Sequence, residues 1–337
     1  PLYALLCAGE VLAFSVANAL FLVKIGFEAL PKAFITSACI MIPYFAFYSH
    51  IEKKISRSVI LILSFIFYAT LIAFCCYMIV LNPGDYRLLM IMYVISTCLL
   101  LLINFQFWSF ANFIFHPRQA KRIYPLIGMG GTIGAIVMGF YLDNLAVLIG
   151  GTEKLLYVWA GLLVLAAFAV FIIYKRLSIR SDEFIHEDKE FFETLAEDFH
   201  IVEKLPILKN MAFIILIMVI ISFNLYFQFN AIVDKYFPTE NNFAGFVGDF
   251  TGVLNLTVLF FQLFITGRLL SALGFVRSLY LQPALLFTPV MITSFFPGLF
   301  IPTISARFID LLTQNTFFQT ATESIYGAIP DKLRGQA

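Results

Sequence analysis

Lys175–Asn210 reads KRLSIRSDEFIHEDKEFFETLAEDFHIVEKLPILKN. It holds nine of the chain's 21 acidic residues: Asp182, Glu183, Glu187, Asp188, Glu190, Glu193, Glu197, Asp198 and Glu203. Six of the 22 basic residues join them. No hydrocarbon layer accommodates that density of charge, so the stretch belongs in water or at a membrane surface. Everything before and after it is long, apolar and nearly uncharged. The segment therefore divides the chain into two hydrophobic blocks, and the fold follows from counting helices on either side of it.

The chain is 61% hydrophobic and 13% charged, against about 25% charged for a soluble domain. Apolar runs of roughly 20 residues recur, each long enough to cross ~30 Å of hydrocarbon as a helix. The ten-residue alternation of a membrane β-barrel is absent. Six spans are predicted before the charged segment, near Leu2–Val23, Ala33–Tyr48, Val59–Val80, Leu88–Phe115, Ile123–Ile149 and Leu155–Tyr174. Four follow it, near Met211–Val233, Phe243–Ile265, Leu279–Phe296 and Leu299–Ile329. The second is the weakest, bracketed by Pro31 and Pro43. Five cysteines, Cys7, Cys39, Cys75, Cys76 and Cys98, fall within spans and read as small core residues.

The loops set the orientation. One set carries Lys53, Lys54, Arg57, Arg118, Lys121, Arg122, Arg268, Arg277, Lys332 and Arg334; the opposite set carries Lys24, Lys32, Arg87, Lys154 and Lys235. The richer side is expected to be cytoplasmic, which puts the N-terminus and the charged linker there. Within the linker Phe191, Phe192, Leu195, Phe199 and Val202 make one apolar stripe at helical spacing. This predicts a surface helix packed along that face and ended by Pro206.

The two blocks repeat. The fourth span ends in Phe107-Trp108-Ser109-Phe110-Ala111-Asn112 and leads to Arg118-Gln119-Ala120. The tenth ends in Phe317-Phe318-Gln319-Thr320-Ala321-Thr322 and leads to Arg334-Gly335-Gln336-Ala337. Short basic turns follow spans two and eight. Span two thus corresponds to eight and four to ten, as in a parallel repeat of two six-helix halves. The 57 residues from Arg118 to Lys175 hold two spans, so spans eleven and twelve are expected after Arg334.

Polar groups inside the spans are the candidate functional residues. Arg307 is the one basic residue deep in a span. Asp310, three residues on, shares its helical face, and Gln314 continues it. That set reads either as an anion-binding group lining a cavity or as a self-satisfied ion pair. Glu10 sits mid-span in the first helix with Asn18 two turns later. Asn104, Gln106, Trp108 and Asn112 give span four a polar side. Asn224, Gln228 and Asn230 recur in span seven. The alternative for these amides is helix–helix hydrogen bonding at ~0.6 kcal/mol each. Gly128-Met129-Gly130-Gly131-Thr132-Ile133-Gly134 echoes a dinucleotide loop but follows no strand. With Gly139 it reads as a face for close helix packing. His50, His116, His186 and His200 lie at cytoplasmic edges without ligand geometry. No cofactor, metal site, phosphate loop or nucleophile–base set is expected, so neither an enzyme nor a nucleic-acid partner is.

Three stretches carry a resemblance. They are Ala19-Leu20-Phe21-Leu22 with Gly26-Phe27-Glu28-Ala29-Leu30-Pro31; Phe107–Asn112 followed by Gln119-Ala120-Lys121-Arg122-Ile123-Tyr124-Pro125-Leu126-Ile127-Gly128; and Phe243-Ala244-Gly245-Phe246-Val247-Gly248-Asp249-Phe250 with Gln262–Arg268. The chain resembles the ATP/ADP antiporter family of plastids and intracellular bacteria and its bacterial relatives in the major facilitator superfamily. The resemblance implies alternating access, a central cavity with basic groups for phosphates and, in some relatives, a soluble domain after the transporter. Gln119 stands where nucleotide exchangers carry an acidic residue, and Ala17-Asn18 where many relatives carry Arg-Asp.

The expected architecture is an all-α polytopic membrane protein of major facilitator type. Residues 1–174 form the first six-helix half, 175–210 a cytoplasmic linker, and 211–337 a second half without its last two helices. The expected function is secondary transport of a nucleotide-like or other organic anion across the bacterial inner membrane. Arg307 would bind the anion and Asp310 and Gln314 would orient it, with Glu10, Asn18, Asn104, Asn224 and Gln228 along the path. Membrane lipids and a soluble domain after Ala337 are the other expected partners. A non-transporting anchor or sensor module and a lipid transporter are the alternatives, the latter favoured by the 40 phenylalanines.

Overall fold

The computed structural model describes residues 1–52, 55–115, 117–177, 206–296 and 298–318. The linker stripe Phe191–Val202 and the repeated turns at Arg334 lie outside them. Ten long helices run through the described residues. They are α1 Leu2–Ile25, α2 Leu30–Glu52, α3 Arg57–Leu81, α4 Tyr86–Ile114, α5 Pro117–Ile149 and α6 Leu155–Leu177, then α7 Pro206–Tyr236, α8 Glu240–Phe261, α9 Leu281–Phe295 and α10 Phe300–Thr313. Among the described residues the ten predicted spans are all helical, the tenth as far as Phe318. Eight are long and apolar enough to cross a bilayer. The last two are shorter: α9 has 15 residues, or ~22 Å at 1.5 Å per residue. The weak second span is a continuous helix that begins beside Pro31 and accommodates Pro43 inside it. Pro206, expected as a stop, is the first residue of α7, where its missing N–H costs no helical bond.

The helices fall into two compact units. The first contains α1–α6 together with Phe237–Leu256, the start of α8; the second contains α7 and the chain from Thr257 onward. In the first unit α1 is the axis. Leu12, Ala13, Val16, Ala19 and Phe21 on it are fully buried. It packs on α4, α5 and α6, while α3 packs on α4 and α6. Close approach depends on glycine. A Cβ at Gly134 would fall 2.2 Å from the Ala4 carbonyl oxygen, and one at Gly131 would fall 2.5 Å from the Tyr3 ring. The glycine run in α5 is therefore the packing face its composition predicts; Gly128 and Gly130 meet nothing within 4 Å. Further along α5, a Cβ on Gly139 would lie 2.7 Å from backbone atoms of Gly248 and Gly252 in α8. Lys24 at the end of α1 pairs with Glu240 at the start of α8, 3.1 Å apart.

In the second unit Met218 and Leu225 of α7, Leu286 of α9 and Ala306 of α10 form a core, with Ile214, Ile221, Val290, Ile309 and Phe318 around it. α8 continues through a π-helical turn, Gln262–Thr266, into Gly267–Leu273, and α10 ends in a second one, Gln314–Phe318. Across the two turns the Gln262 side chain donates to the Asn315 carbonyl at 3.1 Å.

Ile35, Phe67, Leu148, Phe168, Phe213, Phe287, Phe295 and Ile301 are all more than half exposed. An apolar surface on that scale is stable against lipid and not against water. Of the cysteines, Cys76 and Cys98 are buried as expected, whereas Cys39 is exposed.

Candidate functional site

Two polar clusters stand out, one in each unit. That of the second unit is built on α10. Gly298, at φ +90°, turns the chain after α9, and α10 starts at Phe300 with Pro302 in its first turn. Arg307 and Asp310 then fall on one face at i,i+3. Arg307 Nη1 donates to Asp310 Oδ2 at 2.8 Å. Asp310 is fully buried, and its Oδ1 accepts from Ser222 Oγ of α7 at 2.9 Å and Gln282 Nε2 of α9 at 3.1 Å. Arg307 Nη1 also donates to the Ser222 carbonyl at 3.2 Å, and the guanidinium carbon lies 5.3 Å from the centre of the Tyr226 ring.

A carboxylate taken this far from water is held only if a counter-charge and further donors replace its hydration, and here three helices supply them. The arrangement leaves something over. A guanidinium has five N–H donors in a planar fork, and its bonds among the described residues use only Nη1. Nε and Nη2 make no hydrogen bond among the described residues, and the Arg307 side chain keeps 12% of its surface exposed. Asp310 thus holds one edge of the fork and presents the other. Ser222, Tyr226 and Gln282 were not predicted. Gln282 is a lone amide in an apolar run, and Ser222 and Tyr226 alternate with Asn224 and Gln228, so only the tertiary arrangement tells which face of α7 meets Asp310.

The remaining predicted residues of this unit lie elsewhere. Gln314, one turn beyond Asp310, is exposed and has no bond to the cluster. Asn224 is exposed, and Gln228 Nε2 donates to its Oδ1 at 3.0 Å. These two occupy a different face of α7 from Ser222 and Tyr226, since two residues along a helix is a rotation of about 200°.

In the first unit Glu10 of α1 meets Asn104 of α4. Asn104 Nδ2 donates to Glu10 Oε1 at 2.7 Å, and Tyr3 Oη donates to Asn104 Oδ1 at 3.2 Å. Tyr3 stacks on Phe107 at 4.5 Å and meets Trp108 edge-on at 5.3 Å. Asn18, buried deeper along α1, donates to the Phe14 carbonyl at 2.7 Å. Gln106 turns to the other side of α4. Its Nε2 reaches the hydroxyls of Tyr44, Ser64 and Tyr68 at 3.0, 3.2 and 3.0 Å, while its Oε1 is buried without a partner. Among the described residues no group of His, Cys, Asp and Glu could hold a metal ion.

Apolar helices of membrane-spanning length with charged side chains buried inside them are the build of a polytopic membrane protein. The fold supports that class. The solved nucleoside transporter NupG superposes over 100% of this chain and 85% of its own, with TM-score 0.57 and 15% identity, which establishes a major facilitator-like architecture. The sequence profile of the family described as TLC ATP/ADP transporter matches residues 30–321, and the chain belongs to that family. ADP,ATP carrier protein 3 of Rickettsia bellii (strain RML369-C) is 26% identical over 211 residues, covering 55% of this chain and 42% of that protein. Its counterpart in Rickettsia prowazekii (strain Madrid E) is 57% identical over 37 residues, 11% of this chain and 7% of that protein. The chain spans less than half the length of these curated relatives.

Proposed function

We propose that this chain is the membrane portion of a secondary transporter that moves a nucleotide-like or other organic anion by alternating access. It would sit in a bacterial inner membrane with its N-terminus and linker on the cytoplasmic side. Family membership and the names of the Rickettsia relatives support transport, and the loop charges support the orientation. The observation that carries the substrate class is Arg307. It is an intramembrane guanidinium held on one edge by Asp310, with its other edge unbonded among the described residues. That fork matches a phosphate or carboxylate in two-point contact, geometry that lysine does not supply. Asn224, Gln228 and Gln314, polar and accessible, would line the path.

The test is uptake into proteoliposomes with a panel of nucleotides and simple organic anions. Arg307→Lys should keep the pair with Asp310 while raising KM. The double variant Arg307→Ala/Asp310→Ala, with no unpaired buried charge, should lose uptake. Wild-type behaviour of both would remove Arg307 from the site. A wild-type protein that moves nothing on the panel above empty liposomes would remove the transport reading itself.

A further inference from the structure

Besides Asp143 and Asp249, the described membrane-spanning helices hold Asp310 and Glu10, and these two keep different company. Asp310 has a guanidinium, a hydroxyl and an amide around it. Glu10 lies eight residues into α1, ~12 Å along the helix from its first residue. It has a single donor, the Asn104 amide on Oε1. No cation pairs with it among the described residues. Among the described residues, the elements packed on α1 supply no charge there. From α1 itself Tyr3 and Cys7 are near. α4 contributes Asn104 and Trp108. α5 presents Gly131, against Tyr3 and Cys7, and Tyr124, whose ring touches Trp108; α6 presents Trp159, against Gly9. Both N–H groups of Asn104 are engaged: the second reaches the Leu100 carbonyl at 3.3 Å, and the oxygen accepts from Tyr3. Among the described residues Glu10 Oε2 is left without a partner, on a side chain that is only partly buried.

We propose that Glu10 is a proton-binding site that couples transport to a proton gradient. A lone carboxylate in apolar surroundings is costly to keep ionised. A proton taken up on Oε2 gives a neutral carboxyl, while Oε1 keeps its bond from Asn104. Returning that proton to water on the opposite side restores the carboxylate. Asn104 and Tyr3 hold the group in place. For an anionic substrate, a proton carried alongside offsets part of the charge moved across the membrane.

The coupling rests on the transport reading, so the test has an arm that does not need it. In full-length protein in lipid, without substrate, infrared difference spectra between high and low pH should contain a protonated-carboxyl C=O band. That band should disappear in Glu10→Gln, persist in Asp310→Asn and return, displaced, in Glu10→Asp. A band unchanged by Glu10→Gln overturns the proposal. If Glu10→Gln does not fold, a Glu10→Asp spectrum identical to wild type overturns it. In proteoliposomes with an imposed pH gradient, wild type should accumulate substrate above equilibrium. Glu10→Gln should lose accumulation above equilibrium, and Glu10→Asp should recover part of it. Gradient-driven accumulation at the wild-type level in Glu10→Gln overturns the coupling. A wild type that transports nothing overturns the transport reading, and the infrared arm still decides the proton site.

Discussion

Removing the Asp310 carboxylate leaves the Arg307 guanidinium buried with, among the described residues, the Ser222 carbonyl and the Tyr226 ring beside it. Breaking a buried pair from one side costs about 3–5 kcal/mol. Asp310→Ala should therefore lower thermal stability in detergent sharply, and Arg307→Ala/Asp310→Ala should recover much of it. Gln282→Leu, which removes one neutral donor, should cost only about 0.6 kcal/mol. Thermal unfolding of the three variants ranks them, and equal costs for Asp310→Ala and the double variant would contradict the pairing. The Arg307–Asp310 relation was legible in the sequence because it is local: three residues on a helix put two side chains together whatever the rest of the chain does. The partners that complete the cluster were not. Ser222 and Gln282 lie 88 and 28 residues from Asp310, and Glu10 is 94 residues from Asn104. Nothing in a single sequence says which faces of distant helices meet.

At the scale of elements, α5 has two kinds of glycine. Gly134 has no room for a side chain, since its Cβ would overlap the α1 backbone at Ala4. Gly134→Val should separate α1 from α5 and abolish monodisperse protein on size-exclusion chromatography. Gly128 meets nothing within 4 Å, so Gly128→Ala should be neutral or stabilise by about 0.5–1 kcal/mol through helix propensity alone. If both variants elute as wild type, the close approach of the two helices is wrong. The sequence supplied the composition of this face and the absence of a preceding strand, which sufficed to set aside a dinucleotide loop. It did not separate the buried glycines from the open ones, because that depends on the rotation of α5 against α1. The π-helical turns in α8 and α10 were equally hidden, being single-residue insertions into runs that read as uniform helix.

For the molecule as a whole, hydropathy and loop charge carried the fold: ten helical segments, six before the linker and four after, follow from apolar length alone. The orientation invites a direct check. In a background with the five native cysteines replaced by alanine, a cysteine at Gly84, between α3 and α4, should react with a membrane-impermeant maleimide added outside intact cells. One at Ser271, in the short helix Gly267–Leu273 that the sequence reads as a basic turn, should react only after lysis. The reverse pattern would invert the topology. What hydropathy does not carry is the grouping of helices into compact units, since the apolar length of a span does not say which other spans it packs against.

That grouping sets a timetable. Phe237–Leu256 belongs with α1–α6, yet it lies far beyond the end of α6 at Leu177. The ribosome must travel from Leu177 to Leu256 before the first unit has all its parts, and at ~5–20 residues per second that takes roughly 4 to 16 seconds. Throughout that interval the Gly139 face of α5 waits for the glycines of α8. The first six helices are born incomplete, and a nascent chain arrested before α8 should be degraded faster than one arrested just after it.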